Sequence, residues 1–310
     1  MVTPDQAIDV IRATGGAQPG NRALHAKGKL YHGTFTAAPE AAALSRAAHL
    51  SGDAVPTLIR FSSGSGNPRQ PDNAPGVRGL AVKFTLPDGS TTDVSTQTAK
   101  LFPASTPDGF ISLLRASRPG PTAPLRLIGY IATHPRFVKA LPVVKEANKV
   151  PAGYGTVAYH GLHAFRWVAA DGSERWVRYH LQPVAGEDFL PPEVAKAKGA
   201  DFLTQELDER LAAQPVRFDY RVQIAAHGDS TVDPSKPWSS DQTITVGTIE
   251  ITGVETQREH GGDVVVFDPM RVTDGIEPSD DPVLRFRTKA YSASVKLRTG
   301  VDRGPEAPAT

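Results

Sequence analysis

Residues Val157–Val184 read VAYHGLHAFRWVAADGSERWVRYHLQPV. At their centre stands Asp171-Gly172, a pair that tolerates positive φ and closes a tight hairpin loop. Val157–Ala169 before it and Glu174–Val184 after it are rich in Val, Phe, Tyr and Trp, which suit a pleated, half-buried surface. The stretch therefore predicts a β-hairpin. Working towards the N-terminus, strand-like runs occupy Gly28–Thr36, Val55–Ser62, Arg78–Leu86 and Ser90–Thr96, the last two joined by Pro87-Asp88-Gly89. Towards the C-terminus two more lie at Val216–Ala226 and Gln242–Thr252. A helical block from Thr106 to about Lys149, broken at Pro119, Pro121, Pro124 and Pro135, separates the two groups of strands. A helix near Pro191–Gln214 and a proline-started helix from Pro282 to about Leu297 complete the order. Two sets of four consecutive strands predict an α+β chain. Its centre is an antiparallel eight-stranded β-barrel with inserted and flanking helices, rather than a parallel sheet. Such a barrel is filled by side chains or frames one small ligand.

No composition break or flexible linker divides the 310 residues. One domain over 1–310 is expected, with a short N-terminal extension (1–20) and a flexible C-terminal tail (300–310). The chain has no cysteine, which removes disulfides, iron–sulfur clusters, thiolate-ligated haem and cysteine nucleophiles together. Methionine occurs only at Met1 and Met270, against an axial-Met copper or cytochrome site. Lys+Arg total 34 against 33 Asp+Glu. With no basic excess and no clustered basic stripe, nucleic acid is not an expected partner. The opening MVTPDQAIDVIRATGG lacks a basic region followed by an apolar one, and no apolar run approaches a membrane span. The expectation is a cytoplasmic protein that acts on small molecules, not on membranes.

Among nine histidines, His160, His163 and His180 share the central hairpin. A zinc site from them lacks a carboxylate at ligand spacing. The glycine-rich Gly64–Pro68 lacks the lysine and helix of a phosphate loop and reads as a loop. More pointed is the last helix, where Arg287, Tyr291 and Arg298 fall on one face. The plain reading is a snorkelling arginine beside an interfacial tyrosine. The sharper one is that Arg287 holds Tyr291 as a phenolate, a hard anionic donor suited to ferric iron.

Several segments together resemble the haem catalases, specifically their short relatives, the catalase-related peroxidases. HAKG at His25–Gly28 resembles the distal-histidine segment, Arg60-Phe61-Ser62 and Arg78–Phe84 two strands of the family, and His163-Ala164-Phe165 with Tyr179-His180 its hairpin. Phe267-Asp268-Pro269, Gly275-Ile276-Glu277 and the Arg287–Tyr291 spacing complete the match, which runs from about Asn21 to Arg298. The resemblance implies a haem b cofactor with Tyr291 as its axial ligand. It makes His25 the distal acid–base group and Ser62 its orienting partner. Arg287, His163 and Asp281 form a proximal relay, Asp281 standing also where an N-cap would precede Pro282. Arg22, Arg60 and Arg298 match the arginines that bind the haem carboxylates, and Phe110 packs against the haem face. The family's distal asparagine has no counterpart in Asp93–Lys100. Thr98 is aligned there, with Gln97 as runner-up.

The implied function is reduction of hydrogen peroxide, organic peroxides or peracids by small organic donors. With Thr98 offering one hydroxyl instead of an amide, only weak oxygen release is expected. Only 24 residues precede His25 and 12 follow Arg298, so no NADPH is expected, and a monomer or homodimer rather than an interwoven tetramer. Three alternatives stand beside this reading. One is a true small catalase. A second is an allene oxide synthase-like isomerase, whose threonine before the distal histidine is Leu24 here. The third is a barrel that merely carries haem or an apolar ligand.

Overall fold

The computed structural model describes residues 1–16, 18–134, 137–138, 141–257 and 264–299. The tail expected at 300–310 lies outside them. Four long strands come first, β1 (Gly28–Ala37), β2 (Val55–Ser63), β3 (Arg78–Thr85) and β4 (Thr91–Gln97). After the helical block follow β5 (Tyr159–His160), β6 (Phe165–Val168), β7 (Glu174–Pro183), β8 (Val216–Ile224) and β9 (Thr243–Val254). Pairing in the order β1-β2-β3-β4-β5-β7-β8-β9, with β9 returning to β1, closes an antiparallel eight-stranded barrel. The predicted run Val157–Ala169 is two pieces rather than one. It breaks after His160, and β5 and β6 pair with successive parts of β7. A short tenth strand, β10 (Ile276–Pro278), unforeseen in the sequence, extends β6.

Side chains alternate across the barrel wall with the period of two that a strand imposes. Ile59, Phe61, Leu80, Val82, Phe84 and Val94 point inward, where they meet Tyr31, Phe35, Tyr159, Tyr179, Phe218 and Tyr220 in one buried core. Neighbours of opposite parity face outward and fall into rows across the strands. One row is Gly28, Ser62, Gly79 and Gln97; the next is Leu30, Arg60, Ala81 and Ser95.

The predicted helical block resolves into α2 (Pro107–Ser117), α3 (Ala123–Thr133) and α4 (Leu141–Ala147). Pro124 sits in the first turn of α3 rather than breaking it, where its missing N–H costs nothing. The helix expected over Pro191–Gln214 is two, α5 (Pro192–Lys196) and α6 (Phe202–Ala213). The last helix, α7, spans Pro282–Thr299. Within the stretch read as a mere N-terminal extension lies a twelve-residue helix, α1 (Pro4–Gly15). Thr3 and Gln6 cap it reciprocally, satisfying two orphan donors. Its Ala7, Ile8 and Ile11 pack with Ala23, Ile111 of α2 and Ala293 of α7 in a second apolar cluster. That helical layer lies over the outer face of β2–β4.

Candidate active site

A cavity of about 540 Å³ is lined by the outer face of β2–β4, by α1, α2 and α7, and by the end of α4. Most of its surface is apolar, supplied by residues such as Ile8, Ile11, Leu24, Phe102, Phe110 and Phe286. His25, Arg22, Arg60, Ser62, His163, Arg287, Tyr291 and Arg298 all line it. Residues far apart in the chain thus converge on one cavity, which Asp281 does not line.

His25 is the one non-glycine residue with positive φ (54°) among those described. This is a left-handed conformation that His adopts more readily than most residues. Its N–H donates to the Gly64 carbonyl at 3.4 Å, and its Nδ1 lies 2.9 Å from Ser62 Oγ. Room for the ring comes from Gly79, where an added Cβ would stand 2.8 Å from His25 Cε1, His25 Nδ1 and Ser62 Oγ. Burial, then the positive charges of Arg60, Arg287 and Arg22, push the imidazole pKa down to about 3. His25 is therefore neutral near pH 7, a free base able to accept a proton.

On α7, Tyr291 Oη accepts hydrogen bonds from Arg287 Nε at 3.0 Å and from Arg287 Nη2. One turn separates the two residues, so the helix itself aims the guanidinium at the phenol. The same Nη2 donates to Ser95 Oγ on β4 at 3.3 Å. Ser95 on β4 and Ser62 on β2 occupy adjacent outward rows, with β3 between their strands.

His163 Nδ1 is 2.6 Å from Asp281 Oδ2, both fully buried. Burial lowers the His163 pKa, against the opposing pull of its bond to Asp281. Asp281 Oδ1 accepts from Val283 N at 2.8 Å and Leu284 N at 3.3 Å. One carboxylate thus caps α7 and holds His163. Arg22 donates to the Val265 carbonyl at 2.9 Å and Arg60 to the Ala26 carbonyl at 3.4 Å. Phe110 packs on Phe102 with ring centroids 4.9 Å apart.

Thr98 does not line the cavity; Gln97 does. The reason is strand parity. Gln97 is level with Gly79 and Ser62 on the outer face, whereas Thr98 turns the other way. Its Oγ1 accepts from Arg78 N at 3.0 Å, and it lines a separate cavity of about 250 Å³ with Lys100 and His160. A zinc trio also fails to form. His160 and His180 face each other, Nδ1 to Nδ1 at 2.8 Å, while His163 is paired with Asp281. No cluster of three metal-binding side chains exists among the described residues. Ser95, Gly79 and the α1 residues Ile8 and Ile11 were not singled out from the sequence. Parity with Arg60 and Ser62 would have found the first two.

The catalase family model matches residues 7–304, and the chain belongs to that family. It is 70% identical over 307 residues to a catalase-related peroxidase of Mycolicibacterium paratuberculosis, covering 99% of this chain and 98% of that protein. It is 35% identical to a catalase-related peroxidase of Synechococcus elongatus, covering 96% and 89%. Against a Vibrio cholerae catalase identity is 27%, and the match covers 91% of this chain but 59% of the longer protein. A crystal structure of a fungal catalase superposes with a TM-score of 0.80 at 20% identity, over 91% of this chain and 60% of that one. The barrel with its helices is therefore the catalase fold. The family implies a haem, and the residues fit one. The cavity pairs apolar walls with a tyrosine already bonded by arginine and with three further arginines suited to carboxylates.

Proposed function

We propose that this chain is a haem b peroxidase that reduces hydrogen peroxide, organic peroxides or peracids with electrons from small organic donors, and releases oxygen weakly. The observation that carries it is that the His25–Ser62 pair and the Tyr291–Arg287 pair open onto one apolar cavity. When bound, the haem iron supplies the two-electron redox chemistry that no side chain here provides. Tyr291 Oη, which accepts from two nitrogens of Arg287, would be the donor that holds that iron. His163 and Asp281 fix the start of α7, the helix that carries Tyr291. Arg22, Arg60 and Arg298 would hold its two carboxylates, and Phe110 would pack against the ring.

Neutral His25 takes the proton from the inner oxygen of the peroxide and delivers it to the outer oxygen as the O–O bond breaks. Acid–base assistance of this kind is worth about 10²–10⁴ in rate. Over a full turnover ROOH takes up two electrons and two protons and yields ROH and water, two donor molecules each losing one electron. Ser62 keeps the imidazole aimed. Gln97 supplies an amide to the same cavity, in the row of Ser62 and Gly79, on a side chain with one more rotatable bond than asparagine. A looser amide organises a second peroxide less well, which favours donors over oxygen release.

A true small catalase is the second reading, favoured by the amide that Gln97 retains in the cavity. Leu24, which also lines it, offers no hydroxyl for an allene oxide synthase-like isomerase, and a mere carrier has no use for a His–Ser pair. The test is to load the protein with haem and follow peroxide-dependent oxidation of a phenol or diamine beside oxygen evolution. Donor oxidation with little oxygen supports the proposal. Rapid oxygen release with negligible donor oxidation supports the small catalase, and neither activity supports the carrier.

A further inference from the structure

The smaller cavity, of about 250 Å³, plays no part in the chemistry described so far. Val157, Ala158 and Phe189 give it apolar walls, and His160 lines it beside them. Its charged residues are Lys100, Lys149, Glu146 and Glu187. Two cations face two carboxylates, so the space suits an uncharged ligand. Lys149 Nζ is 2.6 Å from Glu146 Oε1 and 5.5 Å from the centre of the Phe189 ring, which ties that wall in place. A cavity of about 150 Å³ already admits benzene, so a single aromatic ring fits.

Hydrogen bonding fixes which nitrogen His160 has to offer. Gln223 Nε2 donates to the Ser240 carbonyl at 2.6 Å, so the amide oxygen is the end that meets His180 Nε2, at 3.4 Å. His180 therefore carries its proton on Nε2 and accepts at Nδ1. The partner there is His160 Nδ1, 2.8 Å away, which must then be an N–H. A neutral imidazole has one N–H, so His160 Nε2 is left with a bare lone pair. Burial, then the charges of His180 and Lys100, lower the His160 pKa to about 3, and burial lowers that of His180. His160 is thus a neutral acceptor near pH 7.

The main cavity is adjacent. His160 on β5 pairs directly with Gln97 on β4, which sets their Cβ atoms about 5 Å apart on one face of the sheet. Gln97 lines the main cavity, and Ala147 lines both. On the basis of the peroxidase reading, we propose that the small cavity binds a single-ring phenol or hydroquinone as electron donor, its O–H donating to His160 Nε2. The donor gives one electron to the peroxide-oxidised haem, its O–H bond breaks, and the proton passes to His160 Nε2, leaving a neutral phenoxyl radical. The imidazolium returns that proton to water before the next donor enters. Two donors in turn release the two electrons and two protons that one peroxide consumes.

Fluorine NMR titration with 4-fluorophenol tests the site without turnover, with its O-methyl ether, 4-fluoroanisole, as control. The haem-loaded protein should bind the phenol about tenfold more tightly than the ether, and His160→Phe should lose that preference. Equal affinity of wild type for the two would overturn the site, whether or not the variant folds. The catalytic role is read by stopped flow, comparing oxidation of 4-methylphenol with that of ferrocyanide, which gives up an electron but no proton. His160→Phe should lower the ratio of the two rates about 10²-fold or more. An unaltered ratio would overturn the role of His160 and leave the peroxidase reading standing. Failure of wild type to oxidise either donor would bring down the peroxidase reading, and this role with it.

Discussion

Replacing Gly79 by alanine adds one carbon at the point where His25 and Ser62 meet. That Cβ would lie 2.8 Å from His25 Cε1, His25 Nδ1 and Ser62 Oγ, whereas ordinary contact begins at 3.4 Å. Each neighbour must therefore retreat by about 0.6 Å. His25 has little backbone freedom to do so, being held at φ 54° with its N–H on the Gly64 carbonyl. Relief has to come from rotating the ring, which breaks the 2.9 Å contact with Ser62. Gly79 itself has no positive φ, so the whole effect is one of contact and not of backbone strain. Misplacing a reacting group by this order costs about 10²-fold in rate, and overpacking of this kind destabilises by about 1–3 kcal/mol. The assay is the stopped-flow rate of the haem-loaded variant with peroxide, alongside a thermal melt. A folded Gly79→Ala protein that reacts within about threefold of wild type would refute the reasoning.

Gln97→Ala should slow the reaction with peroxide by about 10²-fold, the usual cost of losing one positioned donor, while Thr98→Ala should leave steady-state rates unchanged. The reverse pattern would return Thr98 to the site. Arg287→Leu removes both hydrogen bonds to Tyr291 Oη, so acid should displace the tyrosine ligand at a higher pH than in wild type. An identical acid titration of the ferric spectrum would take Arg287 out of the role. His49 is buried against Phe35 and Phe84, with no hydrogen-bond partner at Nδ1, and burial pushes its pKa down from 6.5 to about 4. The unfolded chain therefore binds a proton there between those values that the folded one does not. Its penalty is absent above pH 6.5 and grows to about 3 kcal/mol as pH falls to 4. His49→Phe should flatten the pH dependence of urea denaturation across that window by one proton, and an unchanged slope would count against it.

The central hairpin was legible because Asp171-Gly172 is a local signal and its flanks alternate. The Arg287–Tyr291 pair was legible for the same reason, since helical spacing alone puts the two together. Motif alignment favours Thr98 with Gln97 as runner-up, whereas strand parity turns Gln97 to the cavity. The face of β4 follows from pairing with β3, and Gly79 opposite Gln97 decides it. The start of α1 is a local signal, the capping box at Thr3-Pro4-Asp5-Gln6, whereas its packing on Ala23, Ile111 and Ala293 is a tertiary matter. The break between β5 and β6 has a tertiary cause. A Cβ at Gly161 would stand 2.9 Å from Tyr179 Cβ, and the chain then turns His163 towards Asp281. The bond from Arg287 to Ser95 spans 192 positions of sequence, and no spacing rule brings those two together.

The most direct test of the peroxidase reading is the ferric absorption spectrum of haem-loaded Tyr291→Phe beside that of wild type. Phenylalanine keeps the ring and its packing but removes the oxygen that Arg287 addresses. Loss of haem, or a changed spectrum typical of a water-bound iron, is the expected result. A variant with full haem occupancy and the wild-type spectrum would contradict the assignment of Tyr291 as ligand.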